Sequence, residues 1–382
     1  MLRMIMFYVV FTAMNVGIYY LFYRKSRHVF KDKKKALLFT FIFLLLQATP
    51  LTLYRLGLIS PDGPLGYGWI FLGYSSMSFL SYFIVSFLIF DIGFFSFEKV
   101  KKNEKNLERR EFIKKVVTKS IFAGSVGTAT VGTLKAVATP DVKEVNLKGK
   151  KEEQVLSFVQ ISDLHVGPTI RERMVKAVAS KINELKPDFI FFTGDMVDGF
   201  PDEKMMKVLK PLGELDPPFG KYFVSGNHEF YWGVEKWKKA FSHLGFQDLD
   251  NANHIINIKE KKVLVTGIQD RTNRYFGGKK VELEELVEKA PKGDFDYKIF
   301  LNHRPELYGV AERNKYDLQL SGHTHGGQFF PWNIIVNLIY RYPKGLNNHK
   351  TMKIYTNPGT GYWGPPNRLG VPNEITLFKL TC

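Results

Sequence analysis

The chain has 382 residues, enough for one large domain with a sizeable core and something more. Hydrophobic residues make up 45% and aromatics 15%, which excludes a disordered chain; a single cysteine, Cys382, excludes an internal disulfide framework and a cysteine-rich zinc site. The formal net charge of +17 is unevenly placed, with 19 Lys and Arg against 7 Asp and Glu in residues 1–139, so it reads as a membrane-topology signal rather than a nucleic-acid footprint.

Three apolar runs come first, at about 4–22, 36–54 and 69–97. Each is long enough to cross a bilayer, which takes about 20 residues. The loops at 24–35 and 99–115 are rich in Lys and Arg, and the loop at 55–67 is nearly neutral. The positive-inside rule puts both basic loops in the cytoplasm. A weaker fourth segment, about 118–138, contains the uncharged run Ser120 to Leu134. It follows Arg109-Arg110-Glu111-Phe112-Ile113-Lys114-Lys115, which reads either as a twin-arginine export signal at 109–115 or as a basic juxtamembrane linker. Both readings give a multi-pass cell-membrane protein, with about four transmembrane helices in 1–138 and the rest of the chain on the extracytoplasmic side. Ala136-Val137-Ala138 also fits a small-residue cleavage pattern, which leaves cleavage after Ala138 open.

Residues 139–154 are polar and lysine-rich and read as a linker. From there to 382 the pattern alternates. Strands are expected at Val155–Ser162, Asp188–Thr193, Lys221–Ser225, Val263–Ile268, Tyr297–Leu301, Leu318–Ser321, Lys353–Thr356 and Ile375–Leu380. Helices are expected at Arg171–Leu185, Asp202–Leu212, Val234–Leu244 and Val281–Ala290. Such alternation predicts a layered α/β domain, with ligand groups in the loops beyond the strand ends. The stretch 326–350 is aromatic and reads as a long irregular loop.

Five short clusters of oxygen and nitrogen donors follow strand-like runs. They are Asp163-Leu164-His165, Gly194-Asp195-Met196-Val197-Asp198, Gly226-Asn227-His228-Glu229, Asn302-His303-Arg304-Pro305 and Gly322-His323-Thr324-His325-Gly326-Gly327. Singly each is weak; chance placement of all five at strand ends in this order is improbable. Carboxylate and carboxamide oxygens mixed with imidazoles suit Mn, Fe or Zn better than Ca or Mg. Glycines 194, 226 and 322 are expected to let the backbone turn sharply after each strand. His323 and His325 are two residues apart and would point opposite ways on an extended chain, so they require a turn or one metal on each side.

The ordered set resembles the calcineurin-like metallophosphoesterase superfamily over roughly residues 155–380. The run Gly-His-Thr-His-Gly-Gly-Gln, the segment Asn357-Pro358-Gly359-Thr360-Gly361, Arg368 and Pro372-Asn373-Glu374-Ile375 look like its bacterial membrane-associated branch, which includes twin-arginine-exported members and UDP-diacylglucosamine hydrolase-like enzymes. The resemblance implies a four-layer α/β sandwich and two divalent metal ions bridged by Asp195. One ion would take Asp163, His165, Asp195 and His325, the other Asp195, Asn227, His303 and His323. His228 would be the catalytic histidine at the leaving group, with Arg304 and Arg368 as substrate-binding candidates. In purple acid phosphatases a tyrosine stands at the spacing of Asp198; the aspartate here disfavours that subgroup and leaves its own role open.

The expected function is a membrane-anchored dinuclear-metal phosphohydrolase that cleaves phosphate mono- or diesters by metal-activated hydroxide attack. Its substrate would be a phosphorylated small molecule or lipid, a lipid-linked nucleotide included, with the membrane as a partner. The alternatives are a non-catalytic membrane sensor or scaffold and a nucleotide or nucleic-acid phosphodiesterase. The intact ligand set opposes the first. The small positive balance after residue 139 opposes nucleic acid as a partner.

Overall fold

The structure is a computed structural model that describes residues 2–30, 32–100, 107–149, 155–278 and 283–381. Two compact units divide the chain: Met1–Leu134 with Gly364–Asn367, and Lys135–Trp363 with Arg368–Cys382.

The first unit is built on helices α1 (Leu2–Phe30), α2 (Lys33–Arg55), α3 (Pro64–Val100) and α4 (Leu107–Val137). Asp32 caps α2, its carboxylate accepting from the Lys34 and Lys35 amides at 2.7 and 3.4 Å. Phe22 of α1 packs against Phe43 of α2 at 4.9 Å and Phe83 of α3 at 5.1 Å between ring centroids. Asp91, the one acid in the 69–97 run, ion-pairs with Lys25 of α1.

Among the described residues two segments are long and apolar enough to cross a membrane, Lys33–Tyr54 and Pro64–Gly93. The expectation of about four spans is not carried further. The 4–22 run falls largely on side chains outside the described residues, as do the side chains of Arg109, Arg110 and Glu111. Residues 118–137 lie in α4, which is not one of those two segments and carries Lys119, Lys135 and several Thr and Gly.

The second unit is two facing six-stranded mixed sheets with helices on their outer sides. The first sheet runs β1 (Asp141–Lys148), β12 (Glu374–Thr381), β2 (Val155–Ile161), β3 (Phe189–Thr193), β4 (Lys221–Val224), β5 (Phe246–Asp248). The second runs β10 (Gly345–His349), β11 (Met352–Thr356), β9 (Leu318–Ser321), β8 (Tyr297–Asn302), β7 (Lys261–Ile268), β6 (Ala252–Ile258). The period of two sorts the side chains. Leu156, Phe158, Phe189 and Phe191 meet Val263, Val265, Ile299 and Leu320 between the sheets. Val159, Ile161, Ile190 and Phe192 face the helices α5 (Glu172–Leu185), α6 (Glu203–Gly213) and α8 (Val234–His243). Helices α9 (Leu283–Glu288) and α10 (Tyr308–Arg313) carry Leu283, Leu286 and Ala311 into the cluster that covers the second sheet's outer face. Strands buried on both faces read as nearly unbroken apolar runs, which is why Phe189 to Phe192 stood out. In α5, Met174, Val175, Val178, Ala179 and Ile182 form one buried stripe.

β2, β3, β4 and β5 are parallel neighbours, and so are β7, β8, β9 and β11. Each sheet therefore gathers the carboxyl ends of its central strands at one edge. All five donor clusters leave from those ends.

Two expectations are corrected. Residues 141–148 of the expected 139–154 linker form β1, which pairs in parallel with β12 from Asp141↔Glu374 to Lys148↔Thr381; residues 150–154 lie outside the described ones. Val145 and Leu147, the buried positions of β1, were hidden by the polar Glu144, Asn146 and Lys148 that alternate with them. The expected irregular loop at 326–350 contains a helix, α11 (Trp332–Ile339), and the strand β10. A fragment beginning at residue 150 loses β1 and exposes β12 as a sheet edge. We expect it to unfold at lower urea concentration than one beginning at 135; equal midpoints by circular dichroism would refute the contribution of β1.

Candidate metal centre

Asp163, His165, Asp195, His323 and His325 adopt left-handed backbone angles, with φ from 49° to 70°. Such angles are strained for residues with a Cβ and persist where the surroundings impose them. Here they fold five side chains back toward one point. They also resolve the direction of His323 and His325: the chain turns at both, and His325 opens a 3-10 turn, His325–Gly327.

The glycines work differently from expectation. Gly194 does take a positive φ, 87°, but Gly226 and Gly322 do not. A Cβ on Gly226 would lie 2.1 Å from Asp195 Oδ1, and one on Gly322 would lie 2.2 Å from Asp163 Oδ2. These two glycines give room for the carboxylates rather than a turn.

Asp163 is fully buried and accepts from Ser162 Oγ at 2.5 Å and from the His323 amide at 2.9 and 3.0 Å. Asp195 Oδ1 accepts the His228 amide at 2.8 Å. Its Oδ2 lies 3.1 Å from His303 Nε2, 3.9 Å from His165 Nε2 and 3.9 Å from His228 Nε2. His165 Nε2 and His325 Nε2 are 3.1 Å apart, with Asp163 Oδ1 at 4.0 and 3.5 Å from them. Three donor groups result: Asp163–His165–His325, His165–Asp195–His228 and Asp195–His303–His323. Glu229 holds the Asp195 turn by accepting the amides of Asp195, Met196 and Gly226 at 2.9, 2.7 and 2.7 Å.

A calcineurin-like phosphoesterase family model matches residues 156–327. An "Uncharacterized metallophosphoesterase" of Helicobacter pylori (strain ATCC 700392 / 26695) is 31% identical over 312 residues, 80% of this chain and 81% of that protein. One from Aquifex aeolicus (strain VF5) is 36% identical over 231 residues, 59% of this chain and 85% of that protein. A "Transmembrane protein with metallophosphoesterase domain" from Danio rerio is 32% identical over 266 residues, 66% of this chain and 60% of that protein. The chain belongs to the calcineurin-like phosphoesterase family. It is a metal-dependent phosphoesterase, a hydrolase of phosphate esters.

The donor set of this phosphoesterase suits a divalent cation. Ligands about 2.0–2.2 Å from one ion stand roughly 3–3.5 Å from each other, close to the spacings in the first and third groups. His303 donates Nδ1–H to the Thr193 carbonyl at 2.8 Å, which turns Nε2 inward. That nitrogen is buried and faces the Asp195 carboxylate at 3.1 Å, where a cation can take the place of its proton. Burial alone would lower the His303 ring, but the Asp195 carboxylate outweighs it and holds the ring up to about 10.

Asp198, whose role the sequence left open, lies between two histidines. It accepts from His228 Nδ1 and sits 3.2 Å from His165 Nδ1. Burial would raise its carboxyl, but the two rings outweigh burial and hold it well below the usual range. His228 is nearly buried; burial would lower it, yet Asp195 and Asp198 push it up to about 9.

The two arginines separate. Arg304 is tied to Asp270, Nε donating to Oδ2 at 2.7 Å, and reaches His323 Nε2 at 2.7 Å and Asn227 Oδ1 at 3.2 Å. Arg368, expected at the substrate, is corrected: it is wholly buried and donates to the Pro358 carbonyl at 2.7 Å and to His325 Nδ1 at 2.9 Å. Carbonyl-rich turns around it engage both terminal guanidinium nitrogens, while its buried Nε has no hydrogen-bond partner, and it supports His325 from behind. Asp270 was missed, and Glu229 was read within its motif but given no role; both are acids just past a strand end, and that was the available signal.

Metal uptake must displace the proton that Asp195 holds on His303. Calorimetric Mn²⁺ titrations at pH 7.5 in two buffers of different ionisation enthalpy should show about one proton released, and affinity should fall about tenfold per pH unit lost below 10 for that proton. Identical apparent enthalpies in both buffers would refute this.

Proposed function

We propose that this phosphoesterase is a membrane-anchored phosphohydrolase holding two divalent ions across Asp195, and that it acts on a phosphoester presented at a lipid surface. The carrying observation is that Asp195 Oδ2 belongs to donor groups on both sides, one with His165 and one with His303 and His323. Asp163, His165 and His325 would complete the first ion's shell, and Asn227, His303 and His323 the second's. When bound, such ions polarise the phosphoryl group and supply an activated water. His228 would contact the phosphate and deliver a proton to the leaving oxygen, with Asp198 fixing its ring. Arg304 would face the phosphoryl oxygens from beside Asn227.

Support for the lipid surface comes from α11. Trp332, Ile334, Ile335, Leu338 and Ile339 are all exposed, and the helix has no buried residue. Leu338 is 83% exposed, which a soluble setting leaves unexplained. Phe329, just before the helix, is buried. Arg341 and Lys344 follow the helix as candidates for headgroup phosphates. The apolar helices and the zebrafish relative's name hint at membrane association. With α4 counted as a further crossing, the basic loops support a multi-pass topology that puts the phosphoesterase unit outside the cytoplasm. The twin-arginine-like run supports membership of the membrane-associated bacterial branch. The same topology weighs against a nucleotide-lipid substrate, which is usually met on the cytoplasmic face.

Purified full-length protein loaded with Mn²⁺ should hydrolyse bis(4-nitrophenyl) phosphate. His228→Ala should lower kcat by about 10²–10⁴-fold with metal content unchanged. Turnover retained in that variant removes the role of His228. Ile334→Glu with Ile335→Glu should impair cleavage of vesicle-borne phospholipid while leaving the soluble diester untouched. An equal loss on both would count against the lipid surface.

A further inference from the structure

Two exposed aromatic rings bracket His228. The Tyr231 ring stands 5.2 Å away at 65°, and the Trp363 indole 5.8 Å away at 75°, both edge-on to the imidazole. Tyr231 is 53% exposed and Trp363 54%. Phe276, also exposed, extends this surface 6.4 Å beyond Tyr231. The three come from separate places: the end of the short helix Asn227–Tyr231, the segment after β11 and the 3-10 turn Arg271–Phe276.

Exposure at Trp363 does not come from a loose loop. Its amide donates to Gln328 Oε1 at 2.9 Å, and its carbonyl accepts from Gln328 Nε2 at 3.0 Å. Gln328 is itself buried. Two residues earlier, the Gly361 amide donates to the Asp163 carbonyl at 3.1 Å, and the Thr360 amide to Ser162 at 2.8 Å. The indole is thus presented on a backbone fastened to the strand end that carries Asp163. Fixed backbone beneath a half-exposed apolar ring is how a recognition surface is prepared in advance. These rings carry no charge, so what they recognise is apolar or planar.

We propose that Tyr231 and Trp363 are specificity-determining residues that seat an apolar or aromatic group on the departing alcohol of the substrate, with Trp363 the principal wall. This rests on the reading of His228 as the group at the leaving oxygen. A ring or alkyl chain entering between Tyr231 and Trp363 loses its water on two sides. A methyl group reaches neither. The geometry therefore favours bulky apolar esters over small ones without any change at the phosphoryl group.

The test uses Mn²⁺-loaded full-length protein and a pair of non-hydrolysable probes, phenylphosphonate and methylphosphonate, with Kd measured by calorimetry. Wild type should bind the phenyl compound about tenfold more tightly. Trp363→Ala should erase that preference by weakening phenylphosphonate alone, and Trp363→Phe should restore most of it. Unchanged methylphosphonate binding reports an intact site in each variant. Equal binding of the two probes by wild type, binding of neither, or a preference that survives Trp363→Ala would overturn the proposal. Turnover of bis(4-nitrophenyl) phosphate is read separately. A phenyl preference without turnover would sink the hydrolytic role of His228 while leaving the wall in place.

Discussion

Two carboxylates shut away from water set the terms for this molecule. Asp163 and Asp195 are both buried, and a buried carboxylate is costly unless hydrogen bonds and opposite charge surround it. The protein supplies a hydroxyl, two backbone amides and the raised ring of His303. Inward-facing imidazole nitrogens supply lone pairs rather than protons once a cation is present. A divalent ion is the species that satisfies both sets at once. The loops, glycines and supporting residues are arranged around that requirement.

The supporting layer is as specific as the donors. Glu229 spans three amides and so fixes the Asp195 turn from below. Arg368 backs His325, Asp198 backs His165 and His228, and the Thr193 carbonyl orients His303. His165, His303 and His325 thereby each have an outer nitrogen facing a partner, which sets how the inner nitrogen points. Five left-handed residues in one small volume are strain that a well-packed sandwich can hold and an isolated loop cannot.

Much of this was legible before the structure. The strand ends and the order of Asp163, Asp195, Asn227, His303 and His323 could be read, because buried parallel strands leave unbroken apolar runs and the donors fall just after them. The remainder needs three dimensions. Gly226 and Gly322 looked like turn residues, but their reason is a carboxylate 2.1 or 2.2 Å from the missing Cβ, which no linear pattern encodes. Arg368 read as a substrate-binding candidate through the family resemblance; only the surrounding carbonyls reveal a buried arginine. β1 hid behind the polar residues that alternate with Val145 and Leu147, and Trp363 carried no motif. Helix α11 lay inside a stretch whose Gly, Pro and aromatic content suggested a loop.

The parallel pairing of β1 with β12 has a consequence for biogenesis. Asp141 meets Glu374, so the first strand after the helices has no partner in the sheet until β12 has been synthesised. Closing a loop of that length is slow relative to local pairing. The first sheet is therefore completed only once β12 has been made, and until then β2 presents a bare edge.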